Sequence, residues 1–105
     1  MRRGEIYRVS LDPVQGSEQG GFRYAAVVSL DTMNEALGTV IIVPLTTKKK
    51  PWPTRVDTFF LETEGQVQCE QIRVVAKSRL KERAGALSKV ELAKIRLVFR
   101  QMLVE

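Results

Sequence analysis

The chain has 105 residues, of which 44% are hydrophobic and 28% charged, with a net charge of +5. That length supports one hydrophobic core and not two, so a single domain over residues 1–105 is expected, and the composition excludes global disorder. Apolar runs such as "VIIVPL" fall far short of the ~20 residues that cross a bilayer, and "MRRGEIYRV" lacks a signal-peptide core, which predicts a cytoplasmic protein with no membrane partner.

In chain order, residues 5–11 alternate Tyr7, Val9 and Leu11 with Ile6, Arg8 and Ser10, the period of a strand with one buried face. "YAAVVSL" (24–30) and "TVIIVPL" (39–45) are nearly continuous apolar runs rich in β-branched residues and are predicted as central strands. Between them "DTMNEALG" offers Asp31 as N-cap and Gly38 as stop for about two turns of helix. Pro44 is expected to interrupt its strand, so that the chain leaves the sheet there. "TRVDTFFLE" reads as a further strand. In "GQVQCEQIRVVA" the expected inward positions Val67 and Cys69 share one parity and Ile72, Val74 and Ala76 the other. A β-bulge at Glu70 and Gln71, or a strand end followed by a new strand, accounts equally for that flip.

The C-terminal segment is predicted as a helix whose start is fixed locally. Ser88 and Glu91 form a capping box, and Leu87 and Leu92 a hydrophobic staple. Leu92, Ile95, Phe99, Met102 and Leu103 make a core-facing stripe. A second stripe of Val90, Ala93, Leu97 and Val104 points to a dimer or a partner helix, with scattered exposed aliphatics as the alternative. Many short strands and one terminal helix predict a mainly β fold with a C-terminal α-helix, built as a small, strongly curved barrel.

The positive charge favours a polyanionic partner, RNA or DNA first and an acidic protein second. With a single cysteine, Cys69, and no histidine, no cofactor or metal is expected, and any catalysis must use other groups. The loop "GSEQGGFR" (16–23) contains three glycines, whose freed backbone N–H groups suit an anion. It closes on Arg23, whose planar fork of donors matches phosphate oxygens. A flexible hairpin loop with a surface arginine fits the same residues. In "PLTTKKKPWP", Thr46 and Thr47 stand at a strand exit, and Lys48, Lys49 and Lys50 would attract a nucleic-acid backbone. Trp52 suits stacking on an unpaired base or capping the core.

The ordered blocks "RGEIY", "GSEQGGFR", "PLTT" and "EQIR", followed by "GALS" and an amphipathic helix, resemble the MazF/PemK family of toxin endoribonucleases over essentially the whole chain. The resemblance implies the SH3-like small β-barrel of the CcdB/PemK/MazF toxin fold and a homodimer. It also implies an antitoxin partner with an acidic segment, similar to MazE, and metal-independent cleavage of single-stranded RNA to 2′,3′-cyclic phosphate and 5′-hydroxyl ends. Matched by motif, the family's catalytic arginine falls on Arg23 and its catalytic threonine on Thr46. Ser17, Glu18, Gln19, Gln71 and Arg73 fall where relatives hold or frame RNA. Relatives usually carry proline after the arginine, whereas this chain has Tyr24.

Two other readings stand beside it. A gyrase-poisoning toxin of the CcdB type shares the barrel, but its gyrase contact includes a terminal Trp-Gly-Ile, and this chain ends "RQMLVE". A degenerate family member would bind RNA or antitoxin without cutting.

Overall fold

The structure, a computed structural model, describes residues 1–11 and 22–105. Strands β1 (Glu5–Ser10) and β2 (Phe22–Val27) precede a short helix α1 (Asp31–Ala36), and β3 (Thr39–Thr46), β4 (Arg55–Phe60) and β5 (Thr63–Gln68) follow. A 3₁₀ turn, Cys69–Gln71, leads into β6 (Arg73–Ala76), and a second, Lys77–Arg79, into β7 (Leu80–Ala86), before helix α2 (Lys89–Leu103) ends the fold. The sheet runs β4-β5-β3-β2-β1-β7 with β6 also on β3, and the pairings are antiparallel. It is a mainly β half-barrel closed by its C-terminal helix.

The continuous apolar runs are explained by burial on both faces of β2 and β3. Ala26 and Val43 face α2 through a cluster with Ile6, Val67, Leu87 and Ile95. Ala25, Val27, Val40 and Ile42 face the opposite way onto Val9, Val75 and Leu80. β1 serves both clusters, since Ile6 joins the first and Val9 the second, so its expected single buried face is wrong. Their opposite parity puts them on opposite faces, and the pairing with β7 shifts register on either side of Tyr7.

Pro44 does not end its strand. It lies buried in β3 opposite Ala25 of β2, at the point where the other edge of β3 changes partner from β6 (through Ile42) to β5 (from Leu45). A residue without an N–H is tolerated where a ladder is being exchanged. Of the two accounts of residues 69–72, the strand end with a new strand is the one formed, joined by the 3₁₀ turn. The expected flip is not kept in β6: the buried Val75 has the parity of Val67 and Cys69, though it joins the opposite cluster, while Val74 is 56% exposed. Asp31 is not an N-cap but the first residue of α1; its carboxylate accepts from the Arg3 backbone N–H at 2.7 Å and pairs with Arg2.

α2 starts as expected. The Ser88 hydroxyl accepts from Glu91 N–H at 3.0 Å and the Glu91 carboxylate accepts from Ser88 N–H at 2.8 Å. Leu92, Ile95, Val98, Phe99 and Met102 pack on the core cluster, whereas Leu103, the residue after Met102, is exposed. The second stripe, Val90, Ala93, Leu97 and Val104, is also exposed. Gly4, at φ +94°, turns the chain into β1 directly beneath Leu92, where an added Cβ would approach its Cδ1 to 2.9 Å.

Candidate active site

Two strands that are neighbours in the sheet end at one cavity. The register of β2 on β3 sets Val27 against Ile42 and Ala25 against Pro44, and carried two residues further it brings Arg23 towards Thr46. Both line a cavity of about 440 Å³, with Thr47, Lys48, Lys50, Arg55 and Gln68 completing the wall. Four of these side chains are cationic, and no described carboxylate lines the cavity. An anion entering it meets a concentrated positive field and a set of hydroxyl and guanidinium donors.

Arg23 is held at two points. Its Nη2 donates to Gln68 Oε1 at 2.7 Å and to the Leu45 carbonyl at 3.2 Å, so the guanidinium is fixed on strands β3 and β5 while its other donors remain available. Thr46 closes β3, and its hydroxyl accepts the Lys48 N–H at 3.1 Å, bending the chain into the lysine loop. β5 approaches this point unusually closely at Gly65, where a Cβ would stand 2.4 Å from the Thr46 carbonyl oxygen.

The lysine loop is itself clamped. The buried Gln66 amide accepts from Lys50 N–H at 2.9 Å and donates to the Lys50 carbonyl at 3.1 Å, taking the place of a missing strand neighbour. Arg55 donates to the Lys48 carbonyl at 3.2 Å and pairs with Glu70 at 2.8 Å, its side chain only 5% exposed. Burial opposes ionisation of Glu70, but bonds from its own N–H, the Thr54 hydroxyl and Arg55 outweigh that and hold its carboxyl below the usual range. Glu70 is therefore committed to anchoring Arg55.

The cavity is suited to an anion, and comparison with known proteins gives the family of the chain. A sequence profile of the PemK-like, MazF-like toxins of type II toxin–antitoxin systems matches residues 2–103. The chain belongs to that family. It is 42% identical over 94 residues to an endoribonuclease MazF of Staphylococcus saprophyticus, across 84% of this chain and 78% of that one. The crystal structure of MazE-MazF (Form-II) from Deinococcus radiodurans matches with a TM-score of 0.84 at 27% identity, covering 98% of this chain and 95% of the other. A mycobacterial endoribonuclease in complex with its cognate antitoxin matches at TM-score 0.82 and 25% identity, covering 98% and 94%. Between the two toxin readings, the match favours the endoribonuclease family over the gyrase poisons.

Within this MazF-like toxin the residues expected at the site separate into groups. Arg23, Thr46, Thr47, Lys48 and Lys50 share the cavity. Lys49 turns away and faces Glu64 at 3.6 Å and Asp57 at 3.9 Å. Trp52 does not cap the core; it is half-exposed, with the Arg55 guanidinium 4.6 Å and Lys50 Nζ 5.9 Å from its ring. Gln71, in the 3₁₀ turn, and Arg73, at the start of β6, are exposed and do not line the cavity. Ser17, Glu18 and Gln19 lie outside the described residues. Gln66, Gln68 and Arg55 were not singled out from the sequence. The one available signal is that two glutamines flank Val67, at positions that share a face of β5.

No helix among the described residues is long and apolar enough to cross a membrane.

Proposed function

We propose that this chain is the toxin of a type II toxin–antitoxin pair and cuts single-stranded RNA in the cytoplasm, as one domain that pairs into a homodimer. The observation that carries this reading is the meeting of Arg23 and Thr46 in one cation-lined cavity at the ends of adjacent strands. In the proposed reaction the ribose 2′-oxygen attacks the neighbouring phosphorus and the P–O5′ bond breaks. The 2′-hydroxyl proton is lost, the departing 5′-oxygen gains one, and the products carry a 2′,3′-cyclic phosphate and a 5′-hydroxyl. Such an in-line displacement depends on alignment and on stabilising charge at the non-bridging oxygens. Arg23 supplies that charge from a fixed position, and Thr46 orients the phosphate. Lys48 and Lys50 draw in the flanking backbone, with Trp52 as a stacking surface beside them.

The antitoxin complexes of the Deinococcus and mycobacterial relatives support a partner of the same kind here, with an acidic segment complementary to the net charge of +5. The exposed Val90, Leu97 and Val104 of α2 are apolar surface available to a second subunit or to that partner. The direct test is incubation of the purified chain with single-stranded RNA in EDTA, followed by analysis of the ends. Cyclic-phosphate ends, lost in Arg23→Ala, are expected. Intact RNA, or cleavage unchanged by that substitution, overturns the reading, and tight binding without cutting identifies a binder in its place.

A further inference from the structure

Beside the cationic cavity lies a second one of a different character. It measures about 190 Å³ and adjoins the first through Thr46 and Thr47, which line both. Its remaining walls are mainly apolar: Tyr24 and Phe60, whose rings meet edge-to-face at 5.3 Å, with Leu45 and Leu61. The volume is below the roughly 300 Å³ at which sites for drug-sized ligands begin. It is room for one flat heterocycle and too little for a segment of peptide.

A two-residue hairpin turn carries one end of this wall. Leu61 and Glu62 form the two-residue turn between β4 and β5, since Phe60 pairs with Thr63 on either side, and both have positive φ, +52° and +58°. Such turns ordinarily take Asn or Gly at these positions, because a side chain there is strained. The hairpin itself requires that geometry, and leucine is an unusual residue to meet it. Here it sets a leucine at the lip of the cavity. Tyr24, the residue that stands where relatives usually have proline, supplies the aromatic surface opposite.

From these features we infer that the Tyr24–Phe60–Leu61 cavity receives the base of a nucleotide flanking the phosphate held by Arg23 and Thr46. The inference rests on the nuclease reading and adds a subsite to it. A nucleotide joins its charged group to a flat ring through one sugar, and the two adjoining cavities offer that same pairing: cations and hydroxyls on one side of Thr46, aromatic and aliphatic walls on the other. Thr47 at the shared rim offers its hydroxyl to a ring edge, that of Thr46 being committed to the phosphate. Tyr24 thus has a use that proline does not offer.

The test begins by mapping a cleaved phosphodiester in single-stranded RNA. Oligonucleotides carrying an abasic ribose on either side of it are then compared with the parent. With the unaltered chain, removal of one flanking base is expected to lower kcat/KM by about 10-fold or more, the scale of a lost base-stacking contact. In Leu61→Ala that penalty shrinks to about 3-fold or less. Leu61→Gly provides a second variant, because glycine accepts the positive φ and removes the same wall without threatening the fold. A fluorescent oligonucleotide with a 2′-deoxyribose at the attacking position should show the same loss of base dependence in its Kd. RNA that is cut with an equal penalty in all three proteins overturns the subsite and leaves the nuclease reading intact. A Leu61 substitution that alters self-association in sedimentation, with base dependence unchanged, assigns the cavity to a second copy of the chain and also overturns it. RNA left intact by the unaltered chain removes the nuclease reading and the subsite together.

Discussion

Arg23 is positioned by groups that have no charge of their own. Gln68 Oε1 and the Leu45 carbonyl fix one nitrogen of its guanidinium, so the direction of the remaining donors depends on a neutral amide. Replacing Gln68 with Leu should leave the fold in place, because the residue lies at the end of β5, and let the guanidinium swing. Misplacement of a reacting group by about 1 Å costs up to about 100-fold, so kcat is expected to fall between about 10- and 100-fold with KM changing less. Steady-state kinetics on a mapped RNA site measure that split. Cys69 illustrates the opposite case, a group that chemistry does not use. Burial, with Glu70 beside it, pushes its thiol up to about 11, so almost no thiolate exists at neutral pH. Iodoacetamide should fail to label the native chain and label it fully in denaturant. The expectation that Arg23 and Thr46 belong together comes from the family resemblance of the blocks that hold them, and the structure brings both to one cavity. Gln68, Gln66 and Arg55 were not legible in the sequence, because their roles arise from side-chain bonds that cross between strands, and a glutamine in an amphipathic strand carries no local mark of its partner.

Among the elements, the start of α2 was the most legible, since its capping box and staple are chemistry confined to residues 87–92. Ser88→Ala removes the hydroxyl that accepts Glu91 N–H and should cost about 1 kcal/mol, read as a lowered urea midpoint with unchanged slope. β7 was the least legible. Its sequence, LKERAGA, shows no alternation, because only Leu80 is buried and the strand's other role is ionic: Glu82 takes both Arg8 nitrogens at 2.6 and 2.8 Å, and Arg83 reaches Glu5 at 2.9 Å. The inward positions of β6 differ from the expected Val74 and Ala76 because the 3₁₀ turn at residues 69–71 carries the chain from the cluster of Val67 and Cys69 to the opposite one, where Val75 is the buried residue. Gly65 ties an element to the site. A methyl there would press on the Thr46 carbonyl, so Gly65→Ala should destabilise the fold by about 1–3 kcal/mol. It should also lower turnover, by moving Thr46 away from Arg23. Thermal melts and kinetics on one preparation separate the two effects. A variant of unchanged stability and activity would contradict the close approach of β5 to β3.

At the scale of the whole molecule, the curved sheet buries apolar residues on both faces and holds ion pairs at its exposed edges and, at Arg55–Glu70, beneath the surface. Three of these carboxylates respond to pH in the same direction. For Glu5, burial opposes ionisation, yet bonds from the Arg2 N–H, the Tyr7 hydroxyl and Arg83 hold the carboxyl below its usual 4.5, and Glu70 behaves alike. For Glu82, the hydrogen bonds from Arg8 bring it down to about 2. In the folded chain these groups stay ionised where the unfolded chain has already taken up protons. Their contribution is therefore present above about pH 4.5 and is lost as pH falls below it. Acid titration of the unfolding midpoint should show that loss, and Glu70→Gln should flatten it. The curvature that brings β2 and β3 to a common end also gives the molecule its cavity. The central claim is that residues 23 and 46, at those two ends, act on a single phosphate. A double-mutant cycle on RNA cleavage with Arg23→Ala and Thr46→Val measures this directly. If both groups serve one phosphate, each substitution lowers kcat by about 100-fold or more and the double variant falls little further than the worse single one. Losses that multiply in the double variant, or a single variant with full activity, would contradict the shared site.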